Sequence, residues 1–262
     1  MDLGLKDKVA LICGASRGIG YATSEEFARE GASLVICSRD EGAIAAAVTK
    51  LKPLGAKVVG VAADLSTESG LSTAIERAKG AFGQIDVLVT NTGGPPVGEP
   101  MGHDWAAWTS ASELLLRSVV ELTRAFVPGM RERKWGRVIG ITSLAVKQPV
   151  SRLVLSNSLR AAVTGYFRTL AEDVASDGVT VNTVMPGLTD TERLRSLADT
   201  AAKQEGSTRD AIYDRYRADT PARRLGTADE IASVITFLAS TRAAFVTGQA
   251  ILVDGGTVGA LL

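Results

Sequence analysis

Cys13-Gly14-Ala15-Ser16-Arg17-Gly18-Ile19-Gly20 is the stretch on which the fold turns. It closes an apolar run, Val9-Ala10-Leu11-Ile12-Cys13, and leads into an amphipathic stretch, residues 18–30, that ends at Gly31. The run predicts a buried strand and the stretch a helix. Gly14 follows the strand, and Gly18 and Gly20 open the helix. Glycine at such a turn lets the backbone bend tightly and approach a ligand with no side chain between. The helix start offers free N–H groups and a partial positive charge, which suits a pyrophosphate. The spacing is Gly-x-x-x-Gly-x-Gly, and a glycine cluster alone also serves ordinary turns. Its place between strand and helix is what points to a dinucleotide.

The same alternation continues downstream. Leu34–Cys37, Val58–Ala62, Val87–Val89, Arg137–Thr142, Thr180–Val184 and Ala250–Val253 predict strands. Helices are expected at residues 40–52, 67–82, 105–132, 153–176 and 227–239. Strands that are apolar throughout and separated by helices signal a parallel sheet covered on both faces. Right-handed crossovers then give an α/β, Rossmann-type doubly wound sheet of about seven strands. No linker, repeat or low-complexity tract interrupts residues 1–262, so a single dinucleotide-binding domain is expected. Residues 188–222, rich in Arg, Asp, Thr and Ala, depart from the rhythm. They are expected over the carboxyl ends of the strands, as a lid or substrate-gripping flap.

Composition narrows the function. Of 262 residues, 45% are hydrophobic, enough for a large core. Lys plus Arg and Asp plus Glu are each 29, so net charge offers no attraction to nucleic acid or an anionic membrane. No charged-then-apolar leader opens the chain, and no apolar run approaches the ~20 residues of a membrane span. A cytoplasmic protein is expected. Cys13 and Cys37 lie in strand-like runs and match no metal motif, and His103 is the single histidine, so no metal site is expected.

The second strand ends in Ser38-Arg39, where NAD-specific sites usually carry an acid for the ribose 2′-hydroxyl. Arg17, in the glycine turn, is aimed at the same region. Two guanidinium groups and no carboxylate suit a 2′-phosphate, which favours NADP(H) over NAD(H). The alternative for Arg39 is a solvated residue at the next helix start.

Together these segments resemble the short-chain dehydrogenase/reductase family, and within it the 3-oxoacyl-carrier-protein reductase-like members. The likeness covers nearly the whole chain. Gly14, Ser16, Arg17, Gly18, Ile19 and Gly20 look like its cofactor turn, and Asp64-Leu65 like the acid–apolar pair at the adenine. Thr90-Asn91-Thr92-Gly93 looks like a variant of Asn-Asn-Ala-Gly. Pro186-Gly187, with Thr189 and Thr191, resembles the segment beside the nicotinamide carboxamide. Phe245–Gln249 and Val253–Gly256 resemble the C-terminal strand region.

The resemblance implies an Asn-Ser-Tyr-Lys set, in which tyrosine moves the proton, lysine lowers its pKa and holds the ribose, serine bonds the substrate oxygen and asparagine positions a water. Ser143 matches the serine. Thirteen residues on stands Ser156 where tyrosine is expected, Arg160 takes the lysine's place, and Leu115 the asparagine's. None of Tyr21, Tyr166, Tyr213 or Tyr216 has a lysine four residues later. An aliphatic hydroxyl is a far weaker acid than a phenol, whose pKa is about 10. Arginine can hold ribose hydroxyls and stabilise an alkoxide, but it stays protonated. Lys147 and Arg152 in the intervening loop, and Tyr213 and Tyr216 in the lid, are substitute candidates, with solvated charge and packing as their ordinary alternatives.

Three functions remain open. One is an NADP(H)-dependent oxidoreductase of a carbonyl or alcohol substrate, using Ser143, Ser156 and Arg160. The second is a dinucleotide-binding sensor or inactive partner, and the third a lyase or isomerase on the same fold. Gly93-Gly94-Pro95-Pro96 is expected as a rigid turn beside the cofactor trough. Trp105 and Trp108, at i and i+3, suit core or interface. The apolar faces around Leu114–Phe126, with Val258–Leu262, suggest a homodimer or homotetramer.

Overall fold

The computed structural model describes residues 2–260. Seven strands form one parallel sheet in the order β3-β2-β1-β4-β5-β6-β7. They are β1 (Val9–Cys13), β2 (Ser33–Ser38), β3 (Val58–Ala62), β4 (Val87–Thr90), β5 (Gly136–Ile141), β6 (Val179–Pro186) and β7 (Ala250–Val253). This is the doubly wound sheet expected from the continuous apolar runs. The order reverses between β1 and β4, which opens a crevice at the carboxyl ends of those strands.

Alternation along each strand sends side chains to two cores. Leu11 and Cys13 of β1 face α3 (Glu68–Phe82), α5 (Ser118–Glu132) and α6 (Val154–Val174). Ala10 and Ile12 face α1 (Gly18–Arg29), α2 (Glu41–Leu51) and α9 (Ala228–Ala239). Cys13 and Cys37 are register partners on β1 and β2, fully buried and unbonded. Burial raises both thiols, Cys37 to about 12, so they behave as small apolar side chains.

One seat matters for the site. A Cβ on Gly140 of β5 would lie 2.4 Å from the Phe167 ring. Bare backbone at Gly140 therefore lets α6 close on β5. Arg160 lies two turns before Phe167 on the same helix face, so this packing brings it to the end of β5.

Two segments carry more detail than the sequence showed. The helical stretch expected over 105–132 is present, and within it α4 (Trp105–Ser112) passes through a π turn at Glu113–Arg117 before α5 begins. Such one-turn insertions reorient a helix locally and often lie at functional sites. Residues 188–222, expected as a lid or substrate-gripping flap, carry α7 (Glu192–Glu205) and α8 (Arg209–Asp219). Thr191 and Thr208 cap their N-termini, and Gly206, at φ +62°, ends α7. The pair carries its own small core of Ala198, Ala202, Ile212 and Tyr213. No helix among the described residues is long and apolar enough to cross a membrane.

Candidate active site

The turn after β1 is shaped for close approach. Gly14 and Gly18 hold φ of +60° and +57°, and a Cβ on Gly20 would meet the Gly14 carbonyl oxygen at 2.3 Å. Asn91, just past β4, donates its side-chain amide to the same carbonyl at 3.4 Å, and so pins the turn from the far side of the crevice. Thr191 approaches from the loop after β6: its methyl lies 3.6 Å from where a Gly18 Cβ would stand. Ser16 and Ile19 are half-buried within the turn. Side chains cap α2, α3, α4, α7, α8 and α9, while none caps α1. Its first-turn amides remain available to an anion. A dinucleotide pyrophosphate fits this cradle.

At the outer end of the crevice, Asp64 accepts hydrogen bonds from the Ser66 amide at 3.0 Å and hydroxyl at 2.7 Å. These bonds, more than the nearby positive charge of Arg39, hold its carboxyl below the usual range. Leu65 beside it is buried. Arg39 is exposed and forms no ion pair with a described carboxylate, so its guanidinium is available to a phosphate. Arg17 is placed differently from the expectation. Rather than joining Arg39, it pairs with Glu192 at 2.5 Å, bridging the glycine turn to the start of α7.

At the end of β6, Gly187 packs so tightly that a Cβ would stand 2.6 Å from Asp254 Cα. Buried Thr189 donates to the Gly187 carbonyl at 3.1 Å, which fixes the chain after Pro186. Gly93 has open space around it and is exposed, so no packing demands glycine there.

The polar cluster lies past the end of β5. Arg160 donates from Nη1 to the carbonyls of Ile141 (2.9 Å) and Thr142 (3.1 Å), and from Nε to Ser156 Oγ (3.2 Å). Burial, then the charge of Arg193, pushes the Arg160 pKa down to about 10, so it is still a cation at neutral pH. Ser143 Oγ accepts from the Ala145 amide at 3.2 Å, leaving its own proton free to donate. Beneath Arg160 is a small cavity lined by Thr90, Asn91, Thr142, Leu115, Val119 and Val163. Leu115 belongs to the π turn and gives the cavity an apolar wall.

A family model described as enoyl-(acyl carrier protein) reductase matches residues 14–258. The chain belongs to the short-chain dehydrogenase/reductase family. Among curated relatives, an uncharacterised oxidoreductase of Bacillus subtilis is 34% identical over the full length of both chains. The 3-oxoacyl-[acyl-carrier-protein] reductase of Escherichia coli is 34% identical, covering 97% of this chain and 98% of that one. Among solved structures, L-sorbose reductase from Gluconobacter frateurii, complexed with NADPH and L-sorbose, superposes with a TM-score of 0.95 at 34% identity, covering both chains fully. A polyketide ketoreductase with NADPH gives 0.92 at 28% identity, covering 96% of this chain and 97% of that one.

Within this family member, the substitute candidates separate. Lys147 is exposed on its loop. Arg152, in left-handed backbone at φ +62°, pairs with Glu99 at 3.1 Å and donates to Gln204 of α7. It therefore ties the loop after β4 to the segment over the crevice. Tyr213 is buried in the core of that segment, with its hydroxyl on Asp190 at 3.3 Å, and Tyr216 packs against it. Packing is their role here, as the ordinary alternative had it. Sequence reasoning missed Arg193, whose Nη2 donates to the Pro95 carbonyl at 3.1 Å, and Glu192. The start Thr191-Glu192-Arg193 after Pro186-Gly187 carried a helix-cap signal that would have put both on the crevice side.

Proposed function

We propose that this protein is an NADP(H)-dependent oxidoreductase of a carbonyl or alcohol, in which Ser156 and Arg160 occupy the places of the family's tyrosine and lysine. The observation that carries this reading is the locked Arg160: two backbone carbonyls and Ser156 hold a guanidinium beside an intact pyrophosphate cradle. The NADPH-bound relatives support the cofactor. Gly14, Gly18 and Gly20 would hold its pyrophosphate, Arg39 the 2′-phosphate, Asp64 the adenine side, and Thr189 and Thr191 the carboxamide end. When bound, the cofactor supplies or takes the hydride.

The chain's own groups handle the oxygen. Ser143 and Ser156 donate hydrogen bonds to the substrate carbonyl oxygen. Arg160 donates to Ser156 Oγ, which frees the serine proton for the substrate and strengthens that donor. Its fixed positive charge stabilises the developing alkoxide. The alkoxide then takes a proton from water, so reduction consumes one hydride and one proton. Residues 188–222 act as the lid over a single domain of residues 1–262. Exposed Trp105, Phe237 and Phe245 support a homodimer or homotetramer, which sedimentation would test.

Fluorescence titration with NADPH and NADH, then single-turnover NADPH oxidation against a carbonyl panel, tests this reading. Binding of NADPH with measurable oxidation is the expected result. Leu115 and the missing phenol favour one rival, a dinucleotide sensor. NADPH binding with oxidation only in S156Y/R160K would establish that rival instead.

A further inference from the structure

Arg193, second residue of α7, has no part in the proposed hydride chemistry, yet it reaches across to the loop after β4, whose Asn91 and Thr92 line the cavity beside Arg160. Its guanidinium lies on Gly94, where a Cβ would come within 2.5 Å of Nη2, and it is anchored on the Pro95 carbonyl. A side chain at 94 would push the guanidinium from this seat. Thr191 faces the glycine turn at Gly18, whereas Arg193 reaches toward the loop that follows Asn91–Gly93. Arg160 stands close enough for the two positive charges to repel.

No described carboxylate neutralises either of them. The neighbouring acids are engaged elsewhere: Glu192 with Arg17, Asp190 with Arg195, and Glu99 with Arg152. Both guanidinium groups also retain donors. Arg193 uses Nη2, and Arg160 uses Nε and Nη1, which leaves Nε and Nη1 of the first and Nη2 of the second unbonded among the described residues. Two fixed, unneutralised guanidinium groups match the planar, two-oxygen geometry of a carboxylate.

We infer that the substrate carries a carboxylate near its carbonyl, gripped by Arg193 beside the loop after β4 with Arg160 near it. This rests on the reduction proposed above and adds the substrate class: oxo acids or hydroxy acids. The cofactor pyrophosphate is the other anion within reach of this edge, and the test separates the two.

Acetoacetate is compared with acetoacetamide, and levulinate with levulinamide, on the NADPH-bound protein. Calorimetry gives Kd and NADPH oxidation gives kcat/KM. The acid of each pair is expected to be favoured by at least about ten-fold in Kd, the scale of a charge-assisted bidentate contact. R193M brings the acid-to-amide ratio near one, and R193K, which keeps the charge without the planar fork, retains only part of the preference. NADPH affinity of R193M stays within about two-fold of the native value, since a lost phosphate contact would cost more. Equal Kd for acid and amide in the native protein overturns the inference. So does a ten-fold loss of NADPH affinity in R193M, which assigns the guanidinium to the cofactor. If no carbonyl is reduced, the oxidoreductase reading fails while the calorimetric preference still decides the anion site.

Discussion

The glycine turn after β1 and the polar cluster after β5 lie at the same edge of one sheet, but they are made of different material. The turn is backbone: amides at the start of α1, with Gly20 where a Cβ would collide at 2.3 Å and Gly14 and Gly18 in left-handed backbone. The cluster is side chain: one guanidinium held on two carbonyl oxygens, and two serine hydroxyls that accept from Arg160 and from the Ala145 amide. Steric rules leave the turn almost no freedom to change while it still admits a pyrophosphate. A side-chain cluster can exchange its members and keep its frame, since Ile141 and Thr142 offer their carbonyls to any cation that α6 delivers.

The contrast breaks first at Gly20. G20A places a methyl group on the Gly14 carbonyl and is expected to weaken NADPH binding by about 100-fold or more, as for overpacking at a rigid backbone. G18A meets only the Thr191 methyl at 3.6 Å and should cost chiefly its positive-φ strain, about 1 kcal/mol, seen as a lowered melting temperature. Equal loss of NADPH affinity in both variants would mean that the cradle is not built by these contacts.

The cluster is tested next. R160A is expected to lower single-turnover reduction by about 100-fold, the scale of a lost oxyanion donor, with NADPH Kd changed far less. Because Arg160 remains charged up to about 10, the native rate should be flat across neutral pH and fall only as pH rises through that value. A limb near neutrality would mean that another group moves the proton. In S156Y/R160K a phenol beside an ammonium should introduce such a limb.

Smaller effects sharpen the frame between the two regions. E192A releases Arg17 from its bridge and is expected to tighten NADPH binding by about two- to five-fold, the worth of an exposed ion pair. Weaker binding would instead make the bridge part of the cofactor site. T227A removes the hydroxyl of the α9 capping box and should lower stability by about 1 kcal/mol in denaturant unfolding, with NADPH affinity unchanged.

Much of this was legible beforehand. Most strands showed as apolar runs, because a strand buried on both faces leaves little polar alternation to misread; β6, with Thr180, Asn182 and Thr183, is the mixed one. The π turn was not visible, since Glu113–Arg117 continues the helical pattern and the extra residue is a matter of packing against α6. The helices of residues 188–222 were signalled by Thr191 and Thr208 as caps, but their charged surfaces obscured the periodicity. Among site residues, the glycines, Asp64, Asn91, Ser143 and Arg160 could be placed by motif and spacing. Arg17, Glu192 and Arg193 could not, because long charged side chains choose partners by what lies across the crevice.

Order along the chain alone determined the sheet, the cradle and the residue types standing after β5, since these depend on burial patterns, turn sterics and sequence spacing. Tertiary structure alone decided which charges meet: Arg17 with Glu192, Arg152 with Glu99, and Arg193 near Arg160 with neither paired to a described carboxylate. Those pairings join segments far apart in sequence, and electrostatic energy follows distance in space, which only the folded chain defines.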